Sequence, residues 1–135
     1  MRAELGLMLG ALVLAGCAGQ DRTAEQIRAR GEREFAAAIE GRVPGKPARC
    51  IDPQTAGGPQ LVAPDKLVYR DLNAVWVTRV EGCPFIDRDS IVIAEVFGGQ
   101  LCRNDRFRTA RRGGIAIPGP FCRYGDFTPY RAPRS

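Results

Sequence analysis

The chain of 135 residues reads as a mainly β protein (α+β): an N-terminal helix, then a small disulfide-stapled antiparallel β-barrel or sandwich of five to six short strands. Three observations predict this. Sixteen Gly and ten Pro are more than long regular helices tolerate and mark a turn-rich chain. Beyond residue 65 the hydrophobic period changes to two, in short runs with turn residues between them. Four cysteines, at positions 50, 83, 102 and 122, are spread too widely for a CxxC redox or zinc pair and suit structural bridges. The length fits one domain, and no internal repeat is visible.

Residues 21–40 carry the helix signal. Thr23 and Gln26 have capping-box spacing, Ile27, Phe35, Ala38 and Ile39 fall on one face, and Gly41 is placed to stop the helix. Gly31 lies inside the pattern and opposes it by about 1 kcal/mol relative to Ala. Residues 41–65 hold five Pro and four Gly and read as loop, with one short apolar piece at 48–51 as an edge strand. Residues 66–70 (KLVYR) and 74–80 (AVWVTRV) are β-branched and aromatic, and Asp71-Leu72-Asn73 joins them as a hairpin turn. Trp76, Thr78 and Val80 take one face of the second strand, Val75 and Val77 the other. Residues 90–96 (SIVIAEV) are nearly continuous in apolar side chains and read as a strand buried on both faces. Gly98-Gly99 turns the chain. Residues 105–110 alternate, with Arg106 and Arg108 on one side and Phe107 on the other. A last short strand covers 121–124, and a Pro-containing tail follows from 128. Trp76, Phe107, Phe121 and Tyr124 are core-sized aromatics, assigned to packing.

The N-terminus carries an address. Residues 5–14 are apolar, but ten residues at 1.5 Å each span only about 15 Å, half a hydrocarbon core. The run is therefore read as a signal-peptide h-region. It ends in Leu14-Ala15-Gly16-Cys17, which resembles the bacterial lipobox, where the cysteine sulfur takes a diacylglycerol and the chain is cut just before it. The small residues before Cys17 suit a peptidase that must reach the backbone. The expected organisation is a signal peptide at 1–16, a lipid-anchored tether and helix at 17–40, a β-rich domain at 41–131 and a tail at 132–135. Ala18, where an aspartate would signal retention at the inner membrane, favours the outer membrane of a Gram-negative cell, periplasmic face.

Without Cys17 the cysteines number four, an even count that reads as disulfides in an exported chain. Four cysteines allow three pairings. Joining neighbours in chain order gives Cys50–Cys83 and Cys102–Cys122.

The order of four pieces carries a family resemblance: Arg49-Cys50-Ile51, Gly82-Cys83-Pro84, Leu101-Cys102-Arg103-Asn104-Asp105, and the run from Cys122 through Gly125-Asp126-Phe127-Thr128-Pro129 to Tyr130. Over about residues 41–131 the chain resembles the DUF6491 family of small exported bacterial proteins, often lipoproteins, with no assigned activity. The resemblance implies a fold and an address, and no substrate.

Twenty Lys and Arg against fifteen Asp and Glu give a net charge of +5, and there is no histidine. That removes Ser-His-Asp and Cys-His catalysis, histidine metal sites and a histidine pH switch. The most suggestive group is Arg103, Arg106, Arg108, Arg111, Arg112 and Arg123, since guanidinium forks suit phosphates and carboxylates. In the periplasm the matching partners are anionic envelope components, or another envelope protein; a lipid anchor keeps the chain from nucleic acid. The plainer reading is a solvated hairpin face that guards an edge strand. Asp87-Arg88-Asp89 reads as turn chemistry, and Asp105 and Asp126 as partners of arginines. No calcium-loop spacing appears, and no cofactor or metal is expected. The expected role is a non-enzymatic binding or envelope module; the alternative is a periplasmic enzyme whose carboxylate site draws on Asp89, Asp105 or Asp126.

Cys17→Ser is expected to abolish incorporation of radiolabelled palmitate and to leave the precursor uncut or released in soluble form. Equal labelling of the substituted protein refutes the lipobox.

Overall fold

The computed structural model describes residues 4–62, 64–83, 86, 88–113, 115 and 117–134, with side chains from residue 21 onward. The side chains of Cys17 and Ala18, and residues Pro84 and Asp87, lie outside the described part. Among the described residues one helix, α1 (Glu4–Ala38), precedes nine strands: β1 (Val43–Pro44), β2 (Cys50–Ile51), β3 (Gln60–Val62), β4 (Lys66–Arg70), β5 (Val75–Glu81), β6 (Ser90–Ala94), β7 (Leu101–Cys102), β8 (Arg106–Arg111) and β9 (Cys122–Arg131). The class is the one the sequence predicts: mainly β, one N-terminal helix and a nearly closed, barrel-like antiparallel sheet with two disulfides.

The boundaries differ from expectation in three places. α1 does not start at the Thr23 capping box; residues 17–20 are helix as well. It ends as expected: after Ala38 the chain turns through Gly41, whose φ of 69° is the left-handed conformation glycine adopts without strain. The proline-rich stretch 41–65 contributes three short strands, β1, β2 and β3. And β9 has ten residues where a four-residue strand was expected. Pro129 interrupts the hydrophobic pattern but not the strand. Its carbonyl accepts the Gly45 amide at 2.7 Å, so its nitrogen, which lacks a proton, points away from β5 and no bond to β5 is lost.

The main sheet runs β3-β4-β5-β9-β8-β6, with β1 also pairing with β9; β2 and β7 form a separate two-stranded ladder. Strand β9 follows β5 from Tyr130, opposite Val75, to Arg123, opposite Glu81. Thr78 faces Phe127 and Val80 faces Tyr124, so β9 holds one residue more than β5 between these pairs. Gly125 sits in this bulge. A Cβ placed there would stand 3.2 Å from the Arg79 carbonyl oxygen. The extra residue shifts the alternation, so Tyr124 and Phe127 both face inward although three positions apart.

The interior is aromatic. Tyr69, Phe107, Tyr124 and Phe127 contact one another at ring-centroid distances of 4.5–6.5 Å, with Leu67, Ile51 and Leu101 around them. Tyr69 donates a hydrogen bond to the Tyr124 hydroxyl at 3.0 Å, which satisfies two buried polar atoms against each other. Burial pushes both phenols upward, Tyr124 to about 12. On the outer face of β3-β4-β5, Val62, Val68, Val75 and Val77 are covered by Phe35 and Ala38 of α1, by Ile39 just after it and by Tyr130. The expected split of β5 thus holds, with Val75 and Val77 under the helix and Trp76 and Val80 inward. Ile27, about two turns before Phe35 on α1's expected apolar face, is exposed. Arg70 Nη1 donates to the Ala38 carbonyl at 3.3 Å, where the helix leaves acceptors unpaired. Lys66–Glu32 at 3.9 Å and Arg88–Glu34 at 3.0 Å tie α1 to β4 and to the turn before β6.

The disulfides are Cys50–Cys102 and Cys83–Cys122, not the chain-order pairs Cys50–Cys83 and Cys102–Cys122. Chain order fails because the last strand, β9, inserts between β5 and β8. That brings Cys122 beside the exit of β5, where Gly82 turns the chain, and leaves Cys50 directly opposite Cys102 on β2 and β7. Each bridge closes a loop, 52 and 39 residues long, and either one alone is worth about 4 kcal/mol in the chain-entropy account.

The bulge yields a stability test. Gly125→Val is expected to lower unfolding free energy by about 2 kcal/mol in urea titration, and Gly125→Ala by less, because the added methyls meet backbone at Arg79. Unchanged midpoints for both variants refute the close approach.

A candidate anion-binding face on β8 and β9

Alternation along β8 places Phe107 in the core and Arg106 and Arg108 on the outer face, as the sequence pattern predicts. Arg106 stands directly opposite Arg123 of β9. Phe121, just before β9, lies beside them: the guanidinium carbons of Arg106 and Arg108 are each 4.8 Å from its ring centroid. Phe121 is not the core aromatic its size predicts: half of it is open to solvent. Arg108 also donates from Nε to the Gly119 carbonyl at 2.7 Å and from Nη2 to the Pro118 carbonyl at 3.3 Å. It thereby holds residues 118–119 against β8, where the Gly119 amide donates to the Thr109 carbonyl at 2.8 Å. Arg106 and Arg123 are exposed, and among the described residues neither makes an ion pair. Glu81 faces Arg123 from β5 without closing one.

The other three arginines of the predicted group stand elsewhere. Arg103 pairs with Asp126 at 3.3 Å, next to the turn that Asn104 makes at a φ of 73°. Arg111 lies opposite Ser90 at the far end of β8, on the side of Phe107 and not of Arg106. Arg112 follows in the turn, its amide donating to the Asp89 carbonyl at 2.7 Å. Five residues of strand separate Arg106 from Arg111, about 17 Å, so a six-arginine surface does not form.

The carboxylates considered for catalysis have structural partners. Asp105 Oδ2 accepts the Cys102 amide at 2.7 Å and closes the β7–β8 turn. Asp126 is the partner of Arg103, and Asp89 lies exposed before β6. Among the described residues no group of three Cys, Asp or Glu could hold a metal, and no helix is long and apolar enough to cross a membrane.

Exposed apolar side chains surround this face, which sequence reasoning did not anticipate. β6 is the last strand on its side of the sheet and not a doubly buried one; Ile91 and Ile93 are exposed, and Ile93 stands opposite Arg108. Beyond β8, Ile115 and Ile117 are 91% and 77% exposed. The available signal was an Ile-x-Ile motif set between Gly113 and Pro118, where turn residues leave no strand or helix to bury it. Comparison with protein-family models, curated proteins and solved structures finds no match.

A second polar cluster sits at the β4–β5 hairpin. Asp71 Oδ1 accepts the Asn73 and Ala74 amides at 2.7 and 2.6 Å, and Oδ2 accepts Trp76 Nε1 at 2.6 Å. Arg131 lies over the Trp76 ring at 5.3 Å. Desolvation raises the Asp71 carboxyl, but the Trp76 bond, the two amides and the Arg131 charge outweigh it and hold it below its ordinary range. A carboxyl depressed in the folded state stabilises above its unfolded value of about 3.9, and that stabilisation disappears as pH falls through the folded value. Asp71→Asn is expected to reduce stability at pH 7 by about 1 kcal/mol and to flatten the loss of stability below about pH 4. Chemical denaturation at a series of pH values measures it, and parallel curves for the two proteins refute it.

Proposed function

We propose that the chain is a bacterial lipoprotein, anchored through Cys17 in the outer membrane and facing the periplasm. There it acts as a non-enzymatic module that binds anionic envelope components through Arg106, Arg108 and Arg123. The carrying observation is the direct opposition of Arg106 and Arg123 across β8 and β9 with no ion pair to either among the described residues. Like charges directly opposite in a sheet oppose pairing. A phosphate or carboxylate group seated between the two guanidiniums offsets that repulsion and takes two charge-assisted donors at once. Phe121 holds Arg106 and Arg108 over one ring, which limits their rotamers before a ligand arrives. The lipobox and the resemblance to exported lipoproteins support the location, where phosphates of phospholipid head groups are the abundant anions.

The test uses the mature chain, residues 17–135, carrying Cys17→Ser, so that binding is free of both the acyl anchor and the apolar segment at 5–14. It is expected to bind vesicles containing phosphatidylglycerol and not neutral phosphatidylcholine vesicles, to weaken about tenfold with Arg106→Ala/Arg123→Ala, and to weaken steeply with salt. Equal binding to both vesicle types refutes the reading.

A further inference from the structure

We propose that this face meets the anionic phospholipid surface itself, with Ile115 and Ile117 inserted among the acyl chains. The inference rests on the anion-binding reading above and specifies how that face engages its target. Two adjacent odd-numbered isoleucines, 91% and 77% exposed, are a larger apolar display than folding explains, since neither joins a core cluster. They are also held in place. Residues 118–119 are fixed to β8 by the Gly119 amide and by both Arg108 bonds, so Ile117 projects from a tethered base. The Ile117 amide donates to the Ile115 carbonyl at 2.8 Å, so that donor needs no water when the tip is desolvated.

Charge identifies the occupant. Ile117 adjoins Pro118, whose carbonyl Arg108 holds, and the tip precedes Phe121, over which Arg106 and Arg108 lie, with Arg123 opposite Arg106. A protein partner's apolar patch offers nothing to this many guanidiniums. An anionic bilayer offers acyl chains at the depth of the isoleucines and phosphates at the level of the arginines, whose stems lie along the interface while the forks reach the head groups. Phe121, half exposed beneath Arg106 and Arg108, belongs at the same interfacial level.

The experiment compares three versions of the mature Cys17→Ser chain on phosphatidylglycerol-containing vesicles: the parent, Ile115→Ser/Ile117→Ser and Ile117→Trp. Both isoleucines are exposed, so the variants keep the fold, which circular dichroism and the melting midpoint verify. The serine variant is expected to bind roughly tenfold or more weakly, at high salt as well as low, because the lost contribution is apolar. Ile117→Trp is expected to gain a blue-shifted emission that brominated acyl chains quench, while emission from the parent, whose Trp76 packs against the core, is not quenched. Undiminished binding of the serine variant, or no quenching in Ile117→Trp, overturns the insertion and leaves the anion-binding reading standing. Loss of any anionic preference in the parent overturns both. A parent that sediments as a dimer and becomes monomeric on Ile115→Ser/Ile117→Ser also overturns it, since the isoleucines then serve contact between copies.

Discussion

β9 touches both halves of the sheet, and its ladder with β5 sets the position of nearly everything else. Along one edge it pairs with β5 over its whole length; along the other it receives β8, the Ala48 bridge to Phe127 and β1 in turn. The bulge at Gly125 makes the ladder compatible with the core. A strict two-residue alternation that buries Tyr124 turns Phe127 to solvent. One extra residue resets the phase, and the glycine lets the Arg79 carbonyl approach where a side chain would stand. Two large rings from the same strand then meet Tyr69 and Phe107 in the interior.

The same insertion of β9 dictates the covalent framework. Once the last strand lies between β5 and β8, Cys122 neighbours the end of β5 and is bonded to Cys83, while β2 and β7 pair outside the main sheet and carry Cys50–Cys102. The two bridges overlap in sequence, so the segment between Cys83 and Cys102 is enclosed by both. That segment contains β6, the end strand whose outer isoleucines adjoin the arginine face. α1 covers the opposite region, over β3, β4 and β5, and its Glu34 reaches Arg88 ahead of β6. The helix therefore takes the apolar outer surface that the core needs covered and leaves the β8–β9 surface open.

Most of the molecule satisfies its groups locally. Asp71 binds its own hairpin amides and Trp76, Asp105 binds its own turn, Arg103 binds Asp126, and the two buried phenols bind each other. Against this background Arg106 opposite Arg123, and the solvent-facing Ile115 and Ile117, contradict the rules the rest obeys. Local violations of packing and charge pairing concentrate where a protein meets something else.

Periodicity made the class, the β4–β5 hairpin, the two faces of β5 and the outward pair Arg106 and Arg108 legible in the sequence, because a strand's side-chain alternation is a local property of the backbone. Gly41 as a helix stop was legible for the same reason. Strand β2 falls within the apolar piece at 48–51 that was legible as an edge strand, but β1 and β3 were not: Pro and Gly lower local β preference, and these residues are strands because β9 and β4 supply their hydrogen bonds. The exposure of β6 was hidden too, since an apolar run looks alike at the centre and at the end of a sheet, and only strand order distinguishes them. Strand order likewise decided the disulfides and reduced six arginines to three. Chain proximity says which residues follow one another, but β9 folds back between strands more than ten residues earlier, and the resulting neighbours are fixed by long-range backbone pairing that no window of sequence contains.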